Sequence, residues 1–137
     1  MYQRKLPLDL SCGIRITMGI IGAKWRPCLI DAVRERPKRP SELHREIPEA
    51  IPWVLDQQLK ELEEHGIVEK KVYAEIPLRS EYSLTELGRS LLPLIDALDD
   101  WGEEHRAWYE ARQRVSCQAG KTIVRSVPDH PGRRCFL

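Results

Sequence analysis

The most reactive side chains in this sequence are four cysteines and four histidines. Cys12, Cys28, Cys117 and Cys135 are separated by 16, 89 and 18 residues, and His44, His65, His105 and His130 are scattered. Zinc sites draw their ligands from closely spaced pairs such as CxxC or HxxxH, and no such pair occurs. No Gly-rich phosphate loop and no GxSxG elbow occurs either. The residues therefore predict no metal, no cofactor and no catalytic centre. Cys12 is the one thiol with a mechanism behind it. It stands where a helical pattern begins, and the free backbone N–H groups of a helix start stabilise a thiolate. Arg15, one turn on, could add to this. The other reading of Cys12 is a small apolar filler at a subunit interface, and the sequence leaves both open. Cys28 lies on an apolar stripe and reads as core, as does Trp25.

A second kind of chemistry is carried by cations and amides. Lys38 and Arg39 lie in one basic loop, Arg45 stands just after it, and Lys70, Lys71 and Arg79 form a third group. Between them come Trp53, Gln57 and Lys60. A Gln amide can serve adenine N6 and N7 together, and a Lys suits phosphate or guanine. This residue set fits a duplex, provided the elements that carry it face one way.

Those elements can be read from periodicity. Residues 1–11 read as a polar arm, with Asp9 and Ser11 favouring a turn. Ile14, Met18 and Ile21 mark a helix from Cys12 that Gly22 closes in a left-handed stop. A second helix fits Lys24 to Glu35, with Pro27 in its first turn. Residues 36–40 form a basic loop, and Ser41 is placed to cap a short helix over Glu42 to Ile47. Leu55, Leu59 and Leu62 are the buried stripe of a helix from Pro52 to His65, with Gly66 as its stop. Its outward set is Trp53, Gln57, Lys60, Glu61 and Glu64. The period then changes to two over Ile67–Tyr73 and Arg79–Leu84, a hairpin with the loop Ala74 to Leu78 at its tip. Thr85 caps a long final helix whose face runs through Leu87, Leu91, Leu94, Ile95, Leu98, Trp101 and Trp108. The expected fold class is mainly α with a small β-hairpin: a winged helix-turn-helix with long N- and C-terminal helices.

Length and charge agree with this reading. The chain has 137 residues, 42% apolar and 31% charged, with a net charge of +1. That excludes a bulk polycation but not a local basic face. No apolar run approaches the roughly 20 residues of a membrane span. Ile14 to Ile30 is broken by Arg15, Lys24, Arg26 and Pro27. Asp9 and Arg15 interrupt any secretory core, so a cytoplasmic location with reduced thiols is expected. Residues 1–114 are expected to form the folded domain, with net charge −2, and residues 115–137 a basic flexible tail of charge +3.

Several separate segments, in this order, resemble the HxlR family of winged helix-turn-helix regulators, relatives of MarR. They are Gly22-Ala23-Lys24-Trp25, Pro37 to Leu43, Gln57 to Val68, Val72 to Gly88 and Trp101-Gly102. The resemblance covers roughly residues 12–108. It implies a homodimer built from the first and last helices, bound to a double-stranded DNA operator, with Cys12 answering an oxidant or a small electrophile. The dimer residues would be Ile14, Met18, Leu91, Ile95, Leu98, Trp101 and Trp108. The DNA contacts would be Lys38, Arg39, Ser41, Arg45, Trp53, Gln57, Lys60, Lys70, Lys71 and Arg79. The chain departs from the family pattern at Gly13 after Cys12, at Pro40, at Ile51 to Val54 and at Asp56. Asp56 and the −2 charge leave an alternative open: a winged-helix protein- or ligand-binding module with weakened DNA affinity.

Overall fold

The computed structural model describes residues 8–119, with side chains to Val115. The described chain divides between Leu92 and Pro93 into two compact units. In the first unit, helices α1 (Gly13–Ile21), α2 (Arg26–Ala32), α3 (Pro40–Glu46) and α4 (Pro52–Glu64) precede an antiparallel hairpin. The hairpin comprises β1 (Val68–Tyr73) and β2 (Arg79–Leu84), and a short α5 (Glu86–Ser90) follows. The second unit carries α6 (Leu92–Ala119). Among the described residues no helix is long and apolar enough to cross a membrane.

The core is where the stripes put it. Leu29, Leu43, Leu55, Leu59 and Leu62 are fully buried, from α2, α3 and α4, and Ile30, Val33, Ile67 and Val68 join them. Each such side chain contributes about 1.5–3 kcal/mol through its removal from water. The expected hairpin forms, in a register that sets Val68 opposite Leu84 and Tyr73 opposite Arg79. Gly66 has φ +76, a left-handed turn that glycine adopts without steric cost, and it ends α4 as expected. The Thr85 hydroxyl accepts from Gly88 N–H at 3.0 Å, so it caps α5. Ser11 N–H donates to Asp9 Oδ1 at 2.9 Å, the turn expected before α1.

Several expectations are corrected. Gly22 has φ −74, so the end of α1 is not left-handed. Glycine is needed there for space, because a Cβ would lie 2.1 Å from the Met18 carbonyl oxygen. Helix α2 is shorter than Lys24 to Glu35: it runs from Arg26 to Ala32, with Val33 as its C-cap. Ser41 is not a cap. Arg39 occupies that place and Pro40 is the first helical residue, where its fixed φ fits and its missing N–H has no intrahelical partner to lose. The final helix is interrupted at Leu91. Pro93 cannot donate to the Arg89 carbonyl, so α5 cannot run on into α6. Helix α6 continues to Ala119, past the expected start of the tail; residues 120–137, with Cys135, lie outside the described residues.

Candidate nucleic-acid interface

Helices α3 and α4 pack together, α4 also touches β1, and α3 touches β2. Lys38 adds a contact that the sequence did not signal. Its N–H donates to the Tyr82 carbonyl at 3.0 Å, and its carbonyl accepts from Tyr82 N–H at 2.8 Å. The basic loop is thus an extra rung on the outer edge of β2, and the hairpin is tied to the start of α3.

Along α4, Leu55, Leu59 and Leu62 face inward, and Trp53 is 68% exposed. Lys60 is exposed and Gln57 is half-buried. Two acids of α4 are engaged by other helices. His44 Nε2 lies 2.8 Å from Asp56 Oδ1, which ties α3 to α4. Glu61, expected to point outward, instead pairs with Arg26 of α2. Glu63 and Glu64 remain exposed, but in the last turn. Ahead of its last turn, α4 therefore offers Trp53, Gln57 and Lys60.

The expected cations fall into two groups. Arg39, Arg45, Lys60, Lys70 and Lys71 are exposed. Lys71 lies over the Tyr73 ring at 5.2 Å and Lys70 over the Tyr82 ring at 6.0 Å. As neighbours on a strand they point to opposite faces of the hairpin. Lys38 and Arg79 are different. Lys38 Nζ donates to both carboxylate oxygens of Glu46, at 2.7 and 2.9 Å, and its side chain is only 15% exposed. Arg79 stacks on Tyr73 at 4.4 Å, with Glu81 at 3.8 Å and Glu75 at 3.9 Å from its Nε. Lys38 is answered within the fold, whereas Arg79 Nε is buried with no hydrogen-bond partner and both its carboxylates lie beyond bonding distance, which linear spacing cannot reveal. Arg36 similarly donates to Glu42 at 2.8 Å, and this hydrogen bond holds the Glu42 carboxyl below its ordinary range. Burial, then the charges of Glu63 and Asp56, push the Tyr82 phenol above its ordinary range.

Cys12 is the N-cap residue of α1, exposed, with extended backbone and no side-chain cap bond. Arg15 does not serve it. Its guanidinium donates to Ser11 Oγ at 3.1 Å and Asp9 Oδ2 at 3.5 Å. Cys28 is half-buried rather than fully in the core. The side chain of Cys117 is not among the described ones.

Of the expected dimer residues, Ile14 and Met18 on α1 are exposed, as are Leu98, Trp101 and Trp108 on α6. Leu91 is half-buried. Ile95 is 4% exposed. Leu94, Leu98, Trp101, Trp108 and Val115 recur along α6 at about the 3.5-residue period of a coiled-coil seam, and all are exposed. Trp101 stacks on His105 at 4.4 Å, and Trp108 meets Tyr109 edge-on at 4.7 Å.

Two packed helices, the second with an outward polar face, followed by a hairpin, define a winged helix-turn-helix protein of the DNA-binding regulator class. The chain belongs to the HxlR-like helix-turn-helix family, whose model matches residues 20–110. It is 45% identical over 92 residues to the uncharacterized HTH-type transcriptional regulator YkvN of Bacillus subtilis (strain 168), covering 67% of this chain and 78% of that one. Among solved structures it resembles the redox regulator HypR in its reduced form, with TM-score 0.69 and 38% identity over 73% of this chain and 99% of that one. It also resembles the reduced form of the transcriptional regulator YodB of B. subtilis, with TM-score 0.59 and 30% identity over 69% of this chain and 94% of that one.

Proposed function

We propose that this regulator acts in the cytoplasm as a homodimer on a double-stranded operator, with α4 in the major groove and the hairpin on the adjacent backbone or minor groove. One observation carries the reading: Asp56 and Glu61 are tied to His44 and Arg26, which leaves Trp53, Gln57 and Lys60 as the side chains α4 offers ahead of its last turn. Gln57 reads adenine, and Lys60 contacts guanine or phosphate. Trp53 meets a thymine methyl or a sugar. Arg39, Arg45, Lys70 and Lys71 position the duplex through its phosphates, and Ser41 can donate to one. Lys38 and Arg79 support the loop and hairpin instead. The apolar seam of α6 and the exposed Ile14 and Met18 of α1 favour a second copy as their cover, since a C2 dimer is the commonest closed assembly. Two copies then meet half-sites about one helical turn apart.

Cys12 is the proposed switch. On alkylation by a quinone-type acceptor the Cys12 thiolate sulfur adds to the β carbon, the C=C π pair moves onto the carbonyl oxygen, and that oxygen takes a proton from solvent; on oxidation by a peroxide the sulfur takes one oxygen as the O–O bond breaks and hydroxide leaves, giving a sulfenic acid. A changed group at the head of α1 shifts the dimer and the spacing of the two α4 helices. Its position as an exposed N-cap supports this, as do the printed redox states of the HypR and YodB structures. The test is DNA binding of the wild type and Cys12→Ser with and without diamide or a quinone. Loss of the response in the serine variant is expected, and an unchanged response removes Cys12 from the switch. The exposed pair Ile51 and Trp53 favours a second reading, a surface for a protein partner. Salt decides between them, because phosphate contacts weaken steeply and linearly in log salt.

A further inference from the structure

Arg26 is the one buried charged residue among the described residues, 9% exposed. It opens α2, where the helix dipole disfavours a cation. What holds it there comes from two other helices. Nη1 donates to the carbonyls of Gly19 at 3.2 Å and Ile20 at 2.9 Å, in the last turn of α1, whose dipole is negative at that end. Nε donates to Gln58 Oε1 at 2.5 Å, and Nη2 pairs with Glu61, both on α4. A single planar fork therefore grips the end of α1 with one side and α4 with the other.

The grip has a rotational consequence. Gln58 and Glu61 are three residues apart and share a face of α4. Gln57 and Lys60 each stand one residue earlier, about 100° around the same helix. Fixing residues 58 and 61 fixes the direction in which 57 and 60 point. A bidentate base contact tolerates little rotation, whereas a phosphate contact tolerates more, so a small turn of α4 alters discrimination before it alters general affinity.

We propose that Arg26 is the positioning residue of the recognition helix: by clamping Gln58 and Glu61 to the C-terminal carbonyls of α1, it sets the rotation of α4 and thereby sequence discrimination, without touching DNA. The proposal rests on the reading of α4 as the DNA-reading helix. It also supplies a route from Cys12 to α4, along α1 and then through the hydrogen bonds and ion pair of Arg26.

The test uses the full chain and two variants. Arg26→Met combined with Glu61→Gln removes both charges and leaves no stranded carboxylate. Arg26→Lys keeps the charge but not the fork. Kd is measured on DNA from the chain's own upstream region and on random DNA at several salt concentrations, and amide exchange is followed without DNA. The double variant is expected to lose about tenfold in the ratio of the two affinities, the size of one mismatched base pair, while its affinity for random DNA and its salt slope stay unchanged. Arg26→Lys should recover part of the ratio. Exchange should quicken together in α4 and at the end of α1, and nowhere else. An unchanged ratio together with unchanged exchange overturns the proposal. So does a loss equal on both DNAs with a salt slope shallower by about 0.9, the mark of one phosphate contact. So does exchange that quickens throughout, the mark of a merely destabilised domain. If the wild type itself does not discriminate the two DNAs, the DNA reading fails, and the exchange pattern alone decides the clamp.

Discussion

His44 Nε2 stands 2.8 Å from Asp56 Oδ1, so the two helices of the helix-turn-helix are joined by a side-chain bond at the place where a lone acid would otherwise face phosphate. Both side chains are partly exposed, 26% and 49%, which keeps the bond modest. A double-mutant cycle of His44→Ala and Asp56→Ala is expected to give a coupling of about 0.5–1 kcal/mol in urea unfolding. Strict additivity of the two single changes would mean that the pair does not join α3 to α4.

The engagement of Lys38 by Glu46 separates cations that look alike in sequence. Lys38→Ala should lower stability by about 0.5–1 kcal/mol and leave the salt slope of DNA binding unchanged. Lys60→Ala and Arg45→Ala should leave stability unchanged and each make the slope shallower by about 0.9. The reverse pattern would return Lys38 to the DNA surface.

Tyr82 supplies a pH dependence with a definite sign. Its folded pKa lies above the ordinary phenol value, because burial disfavours the phenolate and the charges of Glu63 and Asp56 add to this. The neutral phenol therefore contributes stability that is fully present below about pH 10 and is lost as pH rises through the folded value. Tyrosinate absorbance should show one tyrosine ionising late, together with alkaline unfolding, and Tyr82→Phe should remove that late step. Simultaneous ionisation of all the tyrosines would contradict the assignment.

The exposed seam of α6 makes the dimer testable by mass. Sedimentation should give a dimer for the wild type and a folded monomer for Leu98→Glu combined with Trp101→Glu. The same double variant should bind operator far more weakly, because each half-site is then held alone. A monomeric wild type at micromolar concentration would contradict the proposed assembly.

How much was legible in the sequence follows from what sequence encodes locally. The stripe Leu55, Leu59 and Leu62, the stop at Gly66, the hairpin and the cap at Thr85 rest on spacing or on one residue's backbone preference, and the structure has them where expected. The expected cap at Ser41 gives way to Arg39, with Pro40 as the first helical residue, because two adjacent start signals compete and the fixed φ of proline prevails. The break at Leu91 was signalled by Pro93 but was outweighed by a long apolar period. The partners of Arg26, Lys38, Asp56 and Glu61 were hidden for a different reason. Glu46 is eight residues from Lys38 and Glu61 is 35 from Arg26, and only the packing of α2, α3 and α4 brings each pair together. Free and engaged charges therefore read alike until the fold is known.

The central claim is that α4 reads a duplex. The most direct measurement is the fluorescence anisotropy of reduced protein on labelled DNA from its own upstream region, with unlabelled random DNA as competitor, at several salt concentrations, for the wild type and Gln57→Ala. The account predicts binding that resists the competitor and falls linearly in log salt. It also predicts a loss of about 1–3 kcal/mol in Gln57→Ala on the specific DNA alone, with the salt slope kept. Equal binding to both DNAs, with Gln57→Ala indistinguishable from the wild type, would contradict it.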